Sequence, residues 1–161
     1  MNFVDCAIKK TLESKTYFEK LAAGSTLSDL KRMFNLLAAA EQEHCDALRK
    51  LEDEVAGEGA DFTVVNESAC IFKPLVEKRD LLAELKTDPD AYRHVITEQE
   101  ENIRFYEDLA AKAELPATKK LLQKITRQER KHLNIIENIY AFMESPRTYL
   151  AWGEFSNLKD L

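Results

Sequence analysis

Glycine and proline are scarce in this chain, with four of each among 161 residues. With 45% hydrophobic and 32% charged residues, this scarcity is typical of a soluble helical protein. Long apolar runs are missing too, since none approaches the roughly 18 residues that a membrane span needs. The length favours one domain that is large enough to bury a sizeable core.

Cysteine is also sparse, and its residues are odd in number and widely spaced: Cys6, Cys45 and Cys70. No Cys-x-x-Cys pair occurs, which excludes a zinc ribbon or a rubredoxin-type iron site. Reduced thiols in a cytoplasmic protein are therefore expected.

Basic charge is in deficit, and the formal net charge is −6. This balance argues against nucleic acid or an anionic membrane as a partner. The first turns carry Asp5, Lys9 and Lys10, which is unlike a secretory signal. A cytoplasmic location fits both observations.

What the chain has instead is an internal repeat with a spacing of 88 residues. Without a gap, Tyr17-Phe18 is matched by Phe105-Tyr106, and Leu21-Ala22-Ala23 is matched by Leu109-Ala110-Ala111. The chain is thus predicted to be two copies of one helical hairpin.

Four helices are predicted from apolar spacing, caps and helix breakers. They cover about 3–23, closed by Gly24; about 27–55; a third from near Pro89, with Asp88 as N-cap; and a fourth from near Pro116 to Ser145-Pro146. We predict an all-α four-helix bundle over residues 1–145. Its crossover, 56–88, is long enough to join parallel helices and is expected to hold one or two short helices over Phe62–Lys86.

Residues 146–161 form a predicted tail with three aromatic residues, Tyr149, Trp152 and Phe155. Such a tail packs either on its own bundle or on a partner subunit, and the sequence leaves both open. The tail, and the lack of a further amphipathic helix beyond residue 143, favour a homodimer over a large cage.

The most informative feature is a pair of matching tetrapeptides, Glu41-Gln-Glu-His44 and Glu129-Arg-Lys-His132, one in each copy. Each interrupts an apolar helical stripe, so a carboxylate and an imidazole stand where Leu or Ile would be expected. Glu and His at i and i+3 lie one turn apart on the same face, and both can reach one cation. Two such pairs on facing helices are typical of carboxylate-bridged metal sites. The alternative is a buried Glu–His hydrogen-bonded quartet with no ion.

The other two predicted helices offer few further ligands at the same depth. The polar interior position of the third helix is Gln99, and its repeat partner in the first is Thr11. Glu13 and Glu101 lie about 200° further round and are expected on solvated faces. His94 lies off the stripe, and Cys45 is expected to be a small buried hydrophobe. Tyr106 is a core aromatic that could hydrogen-bond to a carboxylate.

On these motifs the chain resembles the ferritin-like superfamily, and most closely the rubrerythrin-related proteins that lack a rubredoxin domain. The resemblance covers roughly residues 3–143. It implies a ferritin-like four-helix bundle, a two-iron centre completed by a glutamate on the first and third helices, and ferroxidase activity or peroxide reduction. In this chain those two positions are occupied by Thr11 and Gln99. Proteins of the family often have a further glutamate three residues after the second position, where this chain has Asn102.

Charge decides between one ion and two. Two ferrous ions carry four positive charges, and Glu41 and Glu129 supply two negative ones, which would leave a large uncompensated charge in the core. One divalent ion with two Glu and two neutral His is balanced, and zinc or iron accepts that set. A rotated third helix could still bring Glu98 or Glu101 inward, or an exogenous anion could supply the missing charge.

The sequence therefore predicts a divalent-metal protein, with iron or zinc held by Glu41, His44, Glu129 and His132, and with Gln99 and Thr11 as possible extra ligands. Reaction of bound Fe(II) with peroxide or dioxygen is the activity that would follow. The rival prediction is a non-catalytic bundle that has a degraded site and acts through dimerisation or a protein partner.

Overall fold

The computed structural model describes residues 2–55, 67–85 and 87–151. This part of the chain forms six α-helices: α1 Phe3–Gly24, α2 Ser28–Val55, α3 Lys73–Val76, α4 Leu81–Leu85, α5 Arg93–Lys112 and α6 Pro116–Ala151. Two 3-10 turns, Glu67–Ala69 and Pro89–Tyr92, accompany them. The described residues contain no strand, so the all-α prediction is confirmed. None of these helices combines the length and the apolar composition that crossing a membrane requires.

The predicted helix starts are confirmed, and side chains cap two of them. The side-chain oxygen of Asn2 accepts a hydrogen bond from the backbone N–H of Asp5 at 2.7 Å. Asp88 accepts one from the N–H of Asp90 at 2.9 Å, with Pro89 directly after the cap. The first turn here is a 3-10 turn that leads into α5, because i→i+3 bonding is common at helix ends.

The predicted end of the fourth helix at Ser145-Pro146 is wrong, because α6 continues to Ala151. The prediction rested on the residue before a proline being biased away from the helical region. That bias is a preference, and a helix can continue through a proline. Trp152 and Phe155 of the predicted aromatic tail lie outside the described residues.

Two apolar clusters fill the bundle, one toward each end. The first, the lower cluster, includes Phe3, Val4, Leu48, Leu51, Tyr106, Ala110, Leu122 and Ile125. The second, the upper cluster, includes Phe18, Leu21, Phe34, Leu37, Tyr92 and Ile136. Helices α1 and α6 run from the lower to the upper cluster, while α2 and α5 run the other way. Because α2 and α5 are parallel, the chain between them must return along the length of the bundle, as the crossover prediction required.

The crossover is held against α1 by tyrosine and by ionic side chains. The Tyr17 hydroxyl donates to the carbonyl of Arg79 at 2.7 Å and accepts from the N–H of Leu81 at 3.1 Å. A Glu13 carboxylate oxygen accepts from the N–H of Phe72 at 3.0 Å. Glu13 was expected on a solvated face; instead it binds the crossover backbone, which the sequence pattern did not indicate.

A disulfide joins Cys6 of α1 to Cys70 of the crossover, with Cα atoms 5.1 Å apart. Both cysteines are fully buried, and Lys9 donates to the carbonyl of Cys70 at 2.8 Å. The expectation of reduced thiols is therefore wrong for this pair, because only the folded crossover brings two cysteines 64 residues apart into contact. Cys45 is free and buried, as predicted.

Reduction of the Cys6–Cys70 disulfide should lower the free energy of unfolding by about 4 kcal/mol, since the bond closes a loop of 64 residues in the unfolded chain. Urea unfolding with and without a dithiol measures the difference. The double variant Cys6→Ala/Cys70→Ala is the control, because its unfolding should not respond to the dithiol. Equal midpoints for the oxidised and the reduced parent would contradict the prediction, provided that thiol titration confirms both states.

Candidate metal centre

A polar layer separates the two apolar clusters at the middle of the bundle. The four residues of the matching tetrapeptides lie in it, and each is at most 6% exposed: Glu41, His44, Glu129 and His132. Thr11 and Ser14 of α1 are buried at the same level. The helical spacing predicted this convergence, because each residue continues an otherwise apolar stripe.

The carboxylates and imidazoles form two pairs that cross between the hairpins. Nε2 of His44, on α2, lies 3.0 Å from Oε1 of Glu129, on α6. Nε2 of His132, on α6, lies 2.9 Å from Oε1 of Glu41, on α2. The two imidazole rings stack, with centroids 4.3 Å apart and planes 5° from parallel. Each pair follows the repeat, so the centre has approximate twofold symmetry.

The symmetry is broken at Glu129, which accepts three further hydrogen bonds from α5, two of them on its carboxylate. Nε2 of Gln99 donates to its Oε2 at 2.8 Å and also to its backbone carbonyl at 2.9 Å. Nδ2 of Asn102 donates to the same Oε2 at 3.0 Å. Both oxygens of the Glu129 carboxylate therefore have N–H donors. On α1, the Thr11 hydroxyl instead donates to the carbonyl of Ala7 at 2.7 Å, within its own helix.

Electrostatics favour an ion pair between Glu129 and His44. Burial would raise the pKa of Glu129, but the charge and hydrogen bond of His44 and the hydrogen bond of Gln99 lower it to about 2. Burial would likewise lower the pKa of His44, but the charge and hydrogen bond of Glu129 raise it above the ordinary value for histidine. A buried carboxylate and imidazolium thus stabilise each other's charge.

Lys10 reaches this layer from α1. Its Nζ donates to Oδ1 of Asn102 at 2.7 Å and lies 5.5 Å from the centroid of the Phe105 ring. Burial lowers the pKa of Lys10, while the negative charges of Glu129, Glu98 and Glu13 oppose that shift. The Lys10 ammonium therefore lies within electrostatic range of the central carboxylate.

A cavity of about 380 Å³ borders the polar layer. Its walls come from all four long helices and from crossover residues 68, 69 and 71–73. Glu98, Glu101 and Lys73 line it as well; Glu101 is exposed and lies 3.4 Å from Lys73. Burial is the main cause that raises the pKa of Glu98 to about 7. These two acids border the cavity, but neither joins the central His–Glu pairs, so the alternative of a rotated third helix is not supported.

Two buried polar atoms in this region have no hydrogen-bond partner among the described residues: Nδ1 of His132 and the hydroxyl of Tyr106. The predicted possibility of a Tyr106–carboxylate hydrogen bond is thus not realised. Because Nε2 of His132 donates to Glu41, Nδ1 of a neutral His132 presents a lone pair. A metal-binding histidine has this arrangement, with one nitrogen held by a carboxylate and the other available to the ion.

No three His, Cys, Asp or Glu side chains form a metal-type cluster within the described ranges. The four predicted ligands do lie together, but Nε2 and Oε1 atoms face each other in pairs instead of converging on one point. His94 is exposed, as expected for a residue that lies off the interior stripe of its helix. Cys45 is buried but does not line the cavity.

The all-α fold agrees with a comparison to protein families. The family model for Rubrerythrin matches residues 2–140, which is most of the chain. The chain belongs to the Rubrerythrin family. No curated protein and no solved structure gives a significant match.

Membership in the Rubrerythrin family raises the question of whether these residues fit a two-iron centre, and they do not. At the positions where the family resemblance implies carboxylates, the chain has the neutral side chains of Thr11, Gln99 and Asn102. The two amides donate N–H groups, whereas a ligand to iron must present a lone pair. One divalent ion does fit, because Glu41 and Glu129 balance its charge and Nδ1 of His132 is unpartnered.

Sequence reasoning about this rubrerythrin-family centre missed the roles of Asn102 and Lys10. Asn102 lies three residues after Gln99, the same i and i+3 spacing that identified Glu41 and His44. That spacing could have placed both amides on one face of α5. Lys10 carried no comparable signal, because its contact with Asn102 spans 92 residues.

Breaking the central pair should destabilise this rubrerythrin-family protein strongly. Glu129→Gln leaves His44 without its counter-charge, and loss of one partner of a buried pair costs about 3–5 kcal/mol. Urea unfolding in the presence of a chelator measures the effect. Glu107→Gln is the matched control, because Glu107 forms an exposed ion pair with Arg130 between α5 and α6 that should contribute at most about 1 kcal/mol. Similar losses in both variants would contradict the prediction.

Proposed function

We propose that this chain binds a single divalent metal ion, iron or zinc, at the middle of its bundle. Glu41, His44, Glu129 and His132 would hold the ion. The observation that carries the proposal is the buried, unpartnered Nδ1 of His132, whose ring is held through Nε2 by the Glu41 carboxylate. An unpartnered polar atom in a core is costly, and a bound cation would satisfy it.

The crossed pairs prepare the protein for this ligand. Glu41 accepts a hydrogen bond from the Nε2–H group of His132 and so fixes the ring orientation and the tautomer. Across the stack, Glu129 fixes the orientation of the His44 ring, and the Glu129 carboxylate is further held by Gln99 and Asn102. Side chains that are already held in one rotamer lose little conformational entropy when an ion binds.

Iron would supply redox chemistry with peroxide or dioxygen, whereas zinc would supply Lewis acidity alone. The cavity beside the pairs offers space for a small molecule of either kind. Turnover of peroxide by the iron-loaded protein, measured separately from binding, distinguishes an enzyme from a metal-binding protein.

One observation favours a second function, a metal-free bundle that acts through dimerisation or a protein partner. The Glu129 carboxylate has N–H donors on both oxygens, and its partner His44 is stabilised as a cation. Such a quartet satisfies most of its own polar atoms without an ion. The two candidates differ in metal content, which an equilibrium measurement decides.

Addition of a divalent ion should raise the melting temperature of the chelator-treated protein. Binding to the folded state alone adds RT ln(1 + [L]/Kd), about 2.7 kcal/mol at a hundredfold excess over Kd. For a chain of this size, that corresponds to a shift of about 5–10 °C. Thermal melts with Fe(II), Mn(II) or Zn(II), combined with equilibrium dialysis, should give one ion per chain.

The variant His132→Phe keeps a ring to stack on His44 but removes both nitrogens, so it should abolish the shift. The matched control is His94→Phe on the exposed face of α5, which should retain the shift. If the parent melts identically with and without all three ions, and dialysis detects no bound ion, the metal-free candidate holds.

A homodimer is the assembly that we propose, on the basis of the aromatic residues beyond Pro146. Light scattering should give twice the chain mass of 18.5 kDa. A stop codon after Pro146 should shift the equilibrium toward monomer, since it removes Tyr149, Trp152 and Phe155. A monomeric parent, or a particle of hundreds of kilodaltons, would refute the proposal.

A further inference from the structure

Lys10 is linked to the central Glu129 through the side-chain amide of Asn102. Its Nζ donates to Oδ1 of Asn102, and Nδ2 of Asn102 donates to Oε2 of Glu129. An ammonium has donors and no acceptor, so it can bind only the oxygen end of the amide. The N–H end is therefore turned toward Glu129.

Several features hold Lys10 in its contact with Asn102. The side chain is partly buried, lies over the Phe105 ring and lines the cavity beside Thr11. His44 consequently contacts Oε1 of Glu129, while the amides of Gln99 and Asn102 both donate to Oε2. The Lys10 ammonium lies behind the Asn102 amide. A carboxylate shared between two metal ions would have a cation on each oxygen.

We propose that Lys10, acting through Asn102, takes the place of a second metal ion and limits this centre to one. The inference rests on the proposed single-ion function and deepens it by naming the residue that sets the ion number. One divalent ion already neutralises Glu41 and Glu129. A second would add two positive charges beside the Lys10 ammonium, where like charges repel strongly because little water screens them.

The orienting role has a readout that needs no metal. Lys10→Met should move the side-chain NH₂ resonances of Asn102 in the chelator-treated protein, because the amide loses its anchor. Lys15 provides a matched control on the same helix, since its Nζ donates to Oε1 of Gln42 at 2.7 Å and is also partly buried. Lys15→Met should move the Gln42 resonances and leave those of Asn102 in place. Unchanged Asn102 resonances in Lys10→Met would overturn the orienting role.

The ion number is tested where carboxylates for a second ion have been supplied. In the background Thr11→Glu/Gln99→Glu, Zn(II) and Mn(II) titrations should show a second site that is about tenfold or more tighter with Lys10→Met than with Lys10. Lys15→Met in the same background should leave the second site unchanged. Lys10→Arg keeps the positive charge, so its second site should have the same affinity as the second site with Lys10.

The outcomes separate this inference from the proposed function. A parent that binds no ion refutes the single-ion function, whereas the engineered background still reports on Lys10. Equal affinity of the second site with Lys10, Lys10→Met and Lys10→Arg would overturn the limiting role. If Lys10→Met does not fold, Lys10→Gln replaces it, because glutamine keeps a donor without the charge. The second site of that variant should also bind the ion more tightly than the second site with Lys10. An affinity no tighter than with Lys10 would overturn the limiting role.

Discussion

Two carboxylates and two imidazoles must be satisfied in the middle of a helical core, and the rest of the structure follows from that constraint. An unpaired buried charge would destabilise the bundle by more than most single contacts can offset. The crossed pairs meet the constraint because each hairpin supplies a histidine for the other's glutamate. The two hairpins are therefore held in one relative register, which apolar packing above and below the layer would not specify as sharply.

The approximate twofold symmetry of the repeat is broken at Thr11 and Gln99, which are equivalent positions of α1 and α5. Thr11 turns its hydroxyl into its own helix, while the equivalent Gln99 reaches Glu129. One half of the layer therefore has amide donors on its carboxylate, while the other half has an unpartnered imidazole nitrogen, and residues of both halves line the cavity. The two repeated hairpins thus form an asymmetric centre, because the amides of α5 donate N–H groups to Glu129 while Thr11 bonds within α1.

The helices and the four central residues could be predicted from the sequence because their signals are local. Spacings of three and four residues define a helix face, and Glu41, His44, Glu129 and His132 each lie on such a face. The features that were missed depend on contacts between distant segments, as in Cys6–Cys70, Glu13–Phe72 and Lys10–Asn102. Pro146 misled for a different reason, because a preference of the backbone was taken as a boundary.

The disulfide has a topological consequence. Cys6 and Cys70 close a covalent ring that contains the whole of α2 and the chain leading from it. If the backbone were cut anywhere between residues 56 and 66, the amino-terminal hairpin would remain bonded to the rest of the molecule through α1. Such a cut would give two polypeptides that the disulfide keeps from diffusing apart, so the crossed pairs would still form between segments of one covalent molecule.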